Sequence, residues 1–261
     1  TPVVGALHAL LENGCHVDIV NEDGLLADLA AYKLVVVPEQ THLPQHLVDA
    51  LTAYAEAGGR VLLAGANVAA DFGALAGVAP AGEPIDGHFF LQVGREATTV
   101  QGPRQPVARA GAAALRCAMT QQEPALNTTD APVITVRTVG QGQVAAIHCP
   151  LFSHFARTHY PRTRALVGEV LAALAPDFLV ALDAPARVHL VLRRQGPRLI
   201  AHLVNLGAAH PTSPTQVMID EVPPVGPVTL RVQLPAAPSR VMLAPGMAGL
   251  TWSWREGVLT V

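Results

Sequence analysis

Tyr32-Lys33-Leu34-Val35-Val36-Val37-Pro38 is followed, one helix later, by Tyr54-Ala55-Glu56-Ala57-Gly58-Gly59-Arg60-Val61-Leu62-Leu63, and these two stretches decide the fold. The first contains a continuous β-branched run closed by proline. A strand with no polar alternation is one covered on both faces, as in a parallel sheet between helices. The intervening residues place Leu47, Leu51 and Tyr54 on one helical face, with Thr41 as a candidate cap and Pro44 in the first turn. Gly58-Gly59 end that helix near Ala57, and residues 60–64 (RVLLA) form a second buried strand that stops at Gly65.

Working outward, residues 3–13 (VVGALHALLEN) carry Val3, Leu7, Leu10 and Leu11 at helical spacing, with Gly14 at a C-cap position. Residues 16–20 (HVDIV) alternate toward a short strand. Helix, strand, strand, helix, strand predicts a doubly wound α/β domain. Such a domain expects a strand before its first helix, which places the natural N-terminus upstream of Thr1. Residues 66–132 are rich in Gly, Pro and Ala, with strand-like pieces at 88–93 (HFFLQV) and 97–100. Residues 133–138 and 143–148 read as a hairpin turning at Gly140–Gly142. Residues 161–174, opened by Pro161 and followed by Pro176, form a long helix that closes this domain at 1–176.

The pattern changes at Asp177. Residues 187–206 alternate strictly on either side of Gln195-Gly196-Pro197, a hairpin signal. Short strands at 227–235, 239–245 and 250–261, separated by Pro and Gly, predict a small antiparallel β-sandwich at 177–261.

Half of the residues are hydrophobic and 14% are charged, the balance of a chain that buries a core. A net charge of -3 leaves no excess of cations to neutralise phosphates, which argues against nucleic-acid binding. No apolar run is long enough to span a bilayer. Sixteen of the seventeen basic residues are Arg, Lys33 being the exception, as expected of a GC-rich genome. Cys15, Cys117 and Cys149 are too few and too scattered for a disulfide framework, and buried free thiols are expected. The compartment stays open, with the cytoplasm slightly favoured.

The run Tyr32–Pro38 and the stretch Tyr54–Leu63 resemble the β-galactosidase trimerisation domain, in which a Tyr-Lys-hydrophobic-Pro segment is followed by a Tyr-Val-x-x-Gly-Gly segment. His202-Leu203-Val204-Asn205-Leu206 and the strand at 227–235 resemble the small C-terminal β domain of the same β-galactosidase-like hydrolases. The similarity covers residues 3–65 and 143–261. It implies a flavodoxin-like, glutamine-amidotransferase-like fold for 1–176, a catalytic barrel upstream in the same polypeptide, a carbohydrate substrate for the parent enzyme, and a homo-oligomer, a trimer. The sequence has no GxGxxG or GxxxxGK(S/T) motif and no convergent ligand set, so no cofactor and no metal is expected.

Class I amidotransferases carry a nucleophilic Cys on a sharp strand-to-helix turn, supported by His and Glu. The corresponding turn here reads Leu63-Ala64-Gly65-Ala66-Asn67, without a nucleophile, and the supporting strand reads Ile147-His148-Cys149-Pro150, with Pro150 in place of the Glu. The triad is broken at two positions, so no catalytic residue is assigned.

Other candidates weigh no better. His148 and Cys149 are adjacent, so their side chains diverge on a strand. His42 and His46 have helical metal-pair spacing without a third ligand. His154 and His159 lie near the loop before the long helix. Glu39 stands just past a strand end, where open α/β sheets bind ligands, but neither it nor Asp71, Glu83 or Asp86 forms a recognisable carboxylate pair. Asn127-Thr128-Thr129 is a formal glycosylation sequon and reads as a turn. Trp252 and Trp254 alternate on one strand face, as sugar-stacking or core residues. Phe89 and Phe90 are hard to bury on one strand face, which marks 66–132 as a candidate contact with another subunit or with the upstream barrel. Three functions follow: an accessory and oligomerisation region of a glycoside hydrolase, a carbohydrate-binding module, or an enzyme with an unrecognised amidotransferase-like site.

Overall fold

The computed structural model describes residues 1–123, 128–207 and 222–261. The chain divides into two compact units, one of Thr1–Ala9 with Asp18–Pro176, the other of Leu10–Val17 with Asp177–Val261.

In the first unit the chain opens with α1 (Pro2–Leu11), α2 (Glu22–Asp28) and a 3-10 turn at Leu29–Ala31. Strand β1 (Val35–Pro38), helix α3 (Gln45–Glu56) and strand β2 (Arg60–Ala64) follow, then two one-turn helices, α4 (Val68–Asp71) and α5 (Gly73–Ala76). The middle of the chain is largely strand: β3 (Val78–Pro80), β4 (His88–Val93), β5 (Glu96–Gln101), β6 (Val107–Arg109), β7 (Ala113–Met119), β8 (Thr128–Val139) and β9 (Gly142–Ile147). Helices α6 (Leu151–Thr158) and α7 (Pro161–Leu174) end the unit.

Among the described residues, seven of these strands form one sheet in the order β1-β2-β9-β8-β7-β4-β5. β1, β2 and β9 run parallel. From β9 onward every pairing is antiparallel. A parallel α/β arrangement therefore describes one end of the sheet, and an antiparallel run in the order β8-β7-β4-β5 describes the other. The hairpin around Gly140–Gly142 joins the two ends, because β9 pairs antiparallel with β8 on one side and parallel with β2 on the other.

The core forms where the pattern requires. Leu47, Leu51 and Ala55 of α3 are buried against Val35, Val37, Val61 and Leu63. Tyr54 is half-buried, and its hydroxyl donates to the carbonyl of Tyr32 at 2.8 Å, tying α3 to the approach to β1. Phe152 and Phe155 of α6, and Leu166, Val167, Val170 and Leu174 of α7, are also buried.

Several local expectations shift. Helix α3 starts at Gln45 with Pro44 as its N-cap, not at Thr41, because His42 adopts a left-handed φ of 59° that no helix start accommodates. Residues 15–21 contain no strand, although 16–20 alternate like one, because a strand needs a ladder partner and the sheet ends at β1. Phe89 is buried and Phe90 half-buried within this unit, so the pair needs no subunit contact to cover it: β4 turns Phe89, Leu91 and Val93 to one buried face. Cys15 and Cys149 are buried and Cys117 partly so; all three are free thiols.

In the second unit, β10 (Val180–Asp183), β11 (Val188–Gln195), β12 (Arg198–Asn205), β13 (Thr229–Gln233), β14 (Met242–Leu243), β15 (Ala248–Gly249), β16 (Ser253–Arg255) and β17 (Val258–Thr260) are all antiparallel. β10, β13, β17 and β16 form a four-stranded sheet, and β11–β12 is the hairpin read at 187–206. One apolar cluster gathers Val180, Val232 and Leu259 from the sheet with Leu190 from the hairpin. Residues 239–245 supply only a two-residue strand. Among the described residues no helix is long and apolar enough to cross a membrane.

Gly5 lets α1 lie directly on α6. A Cβ there would stand 1.9 Å from the carbonyl oxygen of Phe152. Ala is favoured over Gly in a helix by about 1 kcal/mol, whereas overpacking a tight contact costs about 1–3 kcal/mol, and a clash with backbone belongs at the upper end. Gly5→Ala is therefore expected to lose stability and to lower Tm by roughly 2–8 °C. A raised Tm in a thermal melt would show that α1 is not held against α6.

Candidate functional site

The C-terminal ends of the parallel strands are where an open α/β sheet presents its loops to a ligand. Three turns meet there: Glu39 after β1, Gly65-Ala66-Asn67 after β2, and His148-Cys149-Pro150 after β9. Hydrogen bonds hold them in place, from Glu39 N to the Ala64 carbonyl at 2.8 Å and from Gly65 N to the Ile147 carbonyl at 2.9 Å. Gly65 has φ of 132°, and a Cβ on it would meet Asn67 Oδ1 at 2.5 Å and Glu39 Cα at 3.3 Å. The turn is thus closed by backbone and by Asn67, whose Nδ2 donates to the Gln40 carbonyl at 2.8 Å and to Asp71 Oδ2 at 2.6 Å. Ala66, at the apex of this turn, carries no nucleophilic side chain.

Glu39 adopts a left-handed φ of 56°. Both of its carboxylate oxygens are engaged by the first turn of α6. Ser153 N donates to Oε1 at 2.9 Å, and Ser153 Oγ donates to Oε2. A carboxylate on the exposed N–H groups of a helix start is favourable both as a cap and through the helix dipole. Pro150 offers α6 no side-chain cap, so Glu39 supplies from across the sheet what the local sequence omits. The sequence singled out Glu39 but not Ser153, its partner 114 residues away.

His148 is fully buried. Its Nε2 lies 3.0 Å from Thr135 Oγ1, and its Nδ1 has no hydrogen-bond partner among the described groups. Burial without a compensating anion lowers its pKa to about 4, which keeps it neutral. The Cys149 thiol is buried beside it. Burial first, and then the Glu39 carboxylate, push its pKa up, with Arg104 opposing. A thiol held protonated is a poor nucleophile, so the His148-Cys149 pair forms no thiolate couple.

The remaining candidates do not converge. His46 sits in α3 while His42 precedes it in a left-handed turn, so the two do not share a helical face. His154 is buried in α6, with Nδ1 accepting from Gln101 N at 3.4 Å; burial, then Arg157 and His88, lower its pKa. His159 ends α6 in a left-handed cap, with Nε2 3.4 Å from His8 Nδ1. Asp71 is held by Asn67, and Glu83 and Asp86 are exposed between β3 and β4. Among the described residues no group of three or more His, Cys, Asp or Glu could hold a metal ion. Asn127 of the sequon lies outside the described residues. Trp254 packs on the apolar cluster of the second unit and its Nε1 points to the Leu234 carbonyl at 3.4 Å, while Trp252 precedes β16 half-exposed.

Residues 7–73 match the family model of the β-galactosidase trimerisation domain. That span contains both stretches on which the family was read, and the resemblance proposed for 143–261 falls outside it. No curated protein matches the chain. Among solved structures, α-L-fucosidase isoenzyme 2 from Paenibacillus thiaminolyticus aligns with a TM-score of 0.73 at 21% identity, over 98% of this chain and 42% of that one. The β-galactosidase from Bacillus circulans sp. alkalophilus aligns with a TM-score of 0.65 at 13% identity, over 100% of this chain and 37% of that one. The GH42 β-galactosidase Gan42B aligns with a TM-score of 0.58 at 15% identity, over 78% of this chain and 30% of that one. At these identities the likeness is one of fold, and this chain spans less than half the length of each.

The neutral, buried His148 has a stability signature. Between its folded pKa of about 4 and the ordinary value of 6.5, the unfolded chain binds a proton that the folded chain refuses. Its contribution is therefore fully present above pH 6.5 and is lost as pH falls toward 4, by about 3 kcal/mol in all. Urea unfolding between pH 7.5 and pH 4.5 should show this loss, and His148→Asn should flatten it. Identical pH slopes for the two proteins would refute the assignment.

Proposed function

We propose that this chain is a non-catalytic accessory and oligomerisation region of a glycoside hydrolase, with the sugar-cleaving barrel elsewhere in the polypeptide. The observation that carries this reading is the match of residues 7–73 to a trimerisation domain, coupled to a sheet edge with no free reactive group. At that edge Ala66 replaces a nucleophile, Glu39 is spent on α6, and Cys149 is buried as a thiol. The finer reading of the fold follows the same analogy. The first unit is taken as flavodoxin-like and amidotransferase-like, the second as a small β-sandwich, with a boundary at Asp177.

Structures of both a fucosidase and β-galactosidases share this fold. We therefore assign the choice of sugar to the parent's barrel, and the carbohydrate substrate to the parent enzyme. Membrane and nucleic-acid partners have no place in this reading. A carbohydrate-binding role for the second unit is disfavoured by the packing of the partly buried Trp254 against its apolar cluster.

The protein comprising these 261 residues should turn over neither glutamine nor aryl glycosides. Turnover of either that disappears in Cys149→Ala or Glu39→Gln would overturn the non-catalytic reading. The full-length parent should sediment as a trimer, and a monomer at micromolar concentration would remove the oligomerisation half of the proposal.

A further inference from the structure

We infer that copies of this chain associate head to tail, with Arg104 and Ile85 of one copy meeting the Asp28 end of α2 on the next. The inference rests on the oligomerisation reading above and adds to it the contact and its chemistry. Charge is unevenly divided along the chain. The matched span 7–73 holds nine Asp and Glu against two basic residues, Lys33 and Arg60. The rest of the chain holds the other fifteen basic residues against eleven acidic ones. A second copy therefore supplies the opposite charge when its matched span meets a basic site that lies outside that span. Two different patches then touch, which is the heterologous kind of contact that closes into a ring.

Arg104 is such a site. Its backbone pairs with Ile85, Ile85 N donating to the Arg104 carbonyl at 2.8 Å and Arg104 N to the Ile85 carbonyl at 2.9 Å. Residues that exchange both bonds present their side chains on the same face of a ladder. The Arg104 guanidinium is half-buried over the Phe89 ring, 5.9 Å from its centroid, and its Nη1 is shut off from solvent with no acceptor among the described residues. Glu39 does not serve it, because both of those carboxylate oxygens go to Ser153. Beside this guanidinium Ile85 is 53% exposed. A cation already stripped of part of its water, next to an open apolar side chain, has met part of the desolvation cost of an interfacial ion pair. Arg193, Arg194 and Arg198 at the β11–β12 turn are exposed and hydrated, and carry no such preparation.

Asp28 is the matching group in the acidic span. It is exposed, and it gives no side-chain cap to the 3-10 turn that follows it. It stands at the C-terminal end of α2, where the helix dipole disfavours a carboxylate. Glu22 and Asp23 differ, since they occupy the first turn, where the dipole favours them. None of the seven residues of α2 is buried, and Leu29, next to Asp28, is only partly covered. The end of this helix thus pairs a carboxylate with an apolar neighbour, as the Arg104 site pairs a guanidinium with Ile85.

The test is sedimentation of the full-length protein over a range of concentration, arranged as a double-mutant cycle. Wild-type protein is expected to be a trimer. Arg104→Met, which keeps an apolar stem over Phe89, and Asp28→Asn should each weaken association by roughly tenfold or more. The double variant should be no weaker than the weaker single, because both changes break the same pair. Asp28→Arg, at an exposed helix end where a cation is favoured, should weaken association further, and it decides the matter should Arg104→Met fail to fold. Arg198→Asp, an exposed charge change in the second unit, should leave association unchanged. A trimer untouched by Asp28→Arg, or single effects that multiply in the double variant, would overturn this contact and leave the oligomerisation reading in place. A wild-type monomer would remove that reading, and this contact with it.

Discussion

β9 is the strand on which the first unit depends. It is the one that pairs in both senses, parallel to β2 through Arg60–Ala64 and antiparallel to β8 through Ile134–Val139. Val144, Ala145, Ala146 and Ile147 are all buried, so both faces are covered as well as both edges. A parallel sheet and a meander have different demands, since one needs crossover helices and the other tight turns. A single shared strand satisfies both, because only its two edges, not its faces, need to differ. The alanines at 145 and 146 keep that strand thin, which lets packing elements approach closely from both sides.

The same strand sets the chemistry of the sheet edge. Its end delivers His148, Cys149 and Pro150 to the place where β1 delivers Glu39. Pro150 has no N–H and gives α6 no side-chain cap, so the helix start needs acceptors from elsewhere. Glu39 provides them, and its left-handed backbone is what aims the carboxylate there. A carboxylate whose two oxygens are both committed to a helix start is a structural fastener. The buried, protonated thiol beside it follows from the same geometry, since a nearby negative charge disfavours a second one.

Much of this was legible in the sequence, for identifiable reasons. Helix α7 runs Pro161–Leu174, as read, because proline at the start and apolar spacing through Leu174 are local signals. HFFLQV at 88–93 and the hairpins at 133–148 and 187–206 were readable because alternation and glycine turns are also local. The antiparallel order β8-β7-β4-β5 was not readable, since pairing between strands separated by loops leaves no trace in either strand alone. The partner of Glu39 was hidden for the same reason: a serine in the first turn of a helix is unremarkable until the fold brings a carboxylate to it. The strand expected at 16–20 shows the converse limit. Its residues favour a strand, but propensity of this kind is realised only against a neighbour.

At the β1, β2 and β9 ends Glu39, Asn67 and Asp71 are held in hydrogen bonds and the Cys149 thiol is buried. Residues 16–20, β-branched in composition, take no place in the sheet. A catalytic surface and an associating surface place opposite demands on a sequence. The first needs polar groups held unsatisfied and reachable; the second needs apolar groups held exposed and polar groups already paired. Glu39, Asn67 and Asp71 are paired, and Ile19 and Val20 are exposed. On that physical distinction, the polar side chains at the β1 and β2 ends of the matched span serve the fold, each held in a hydrogen bond.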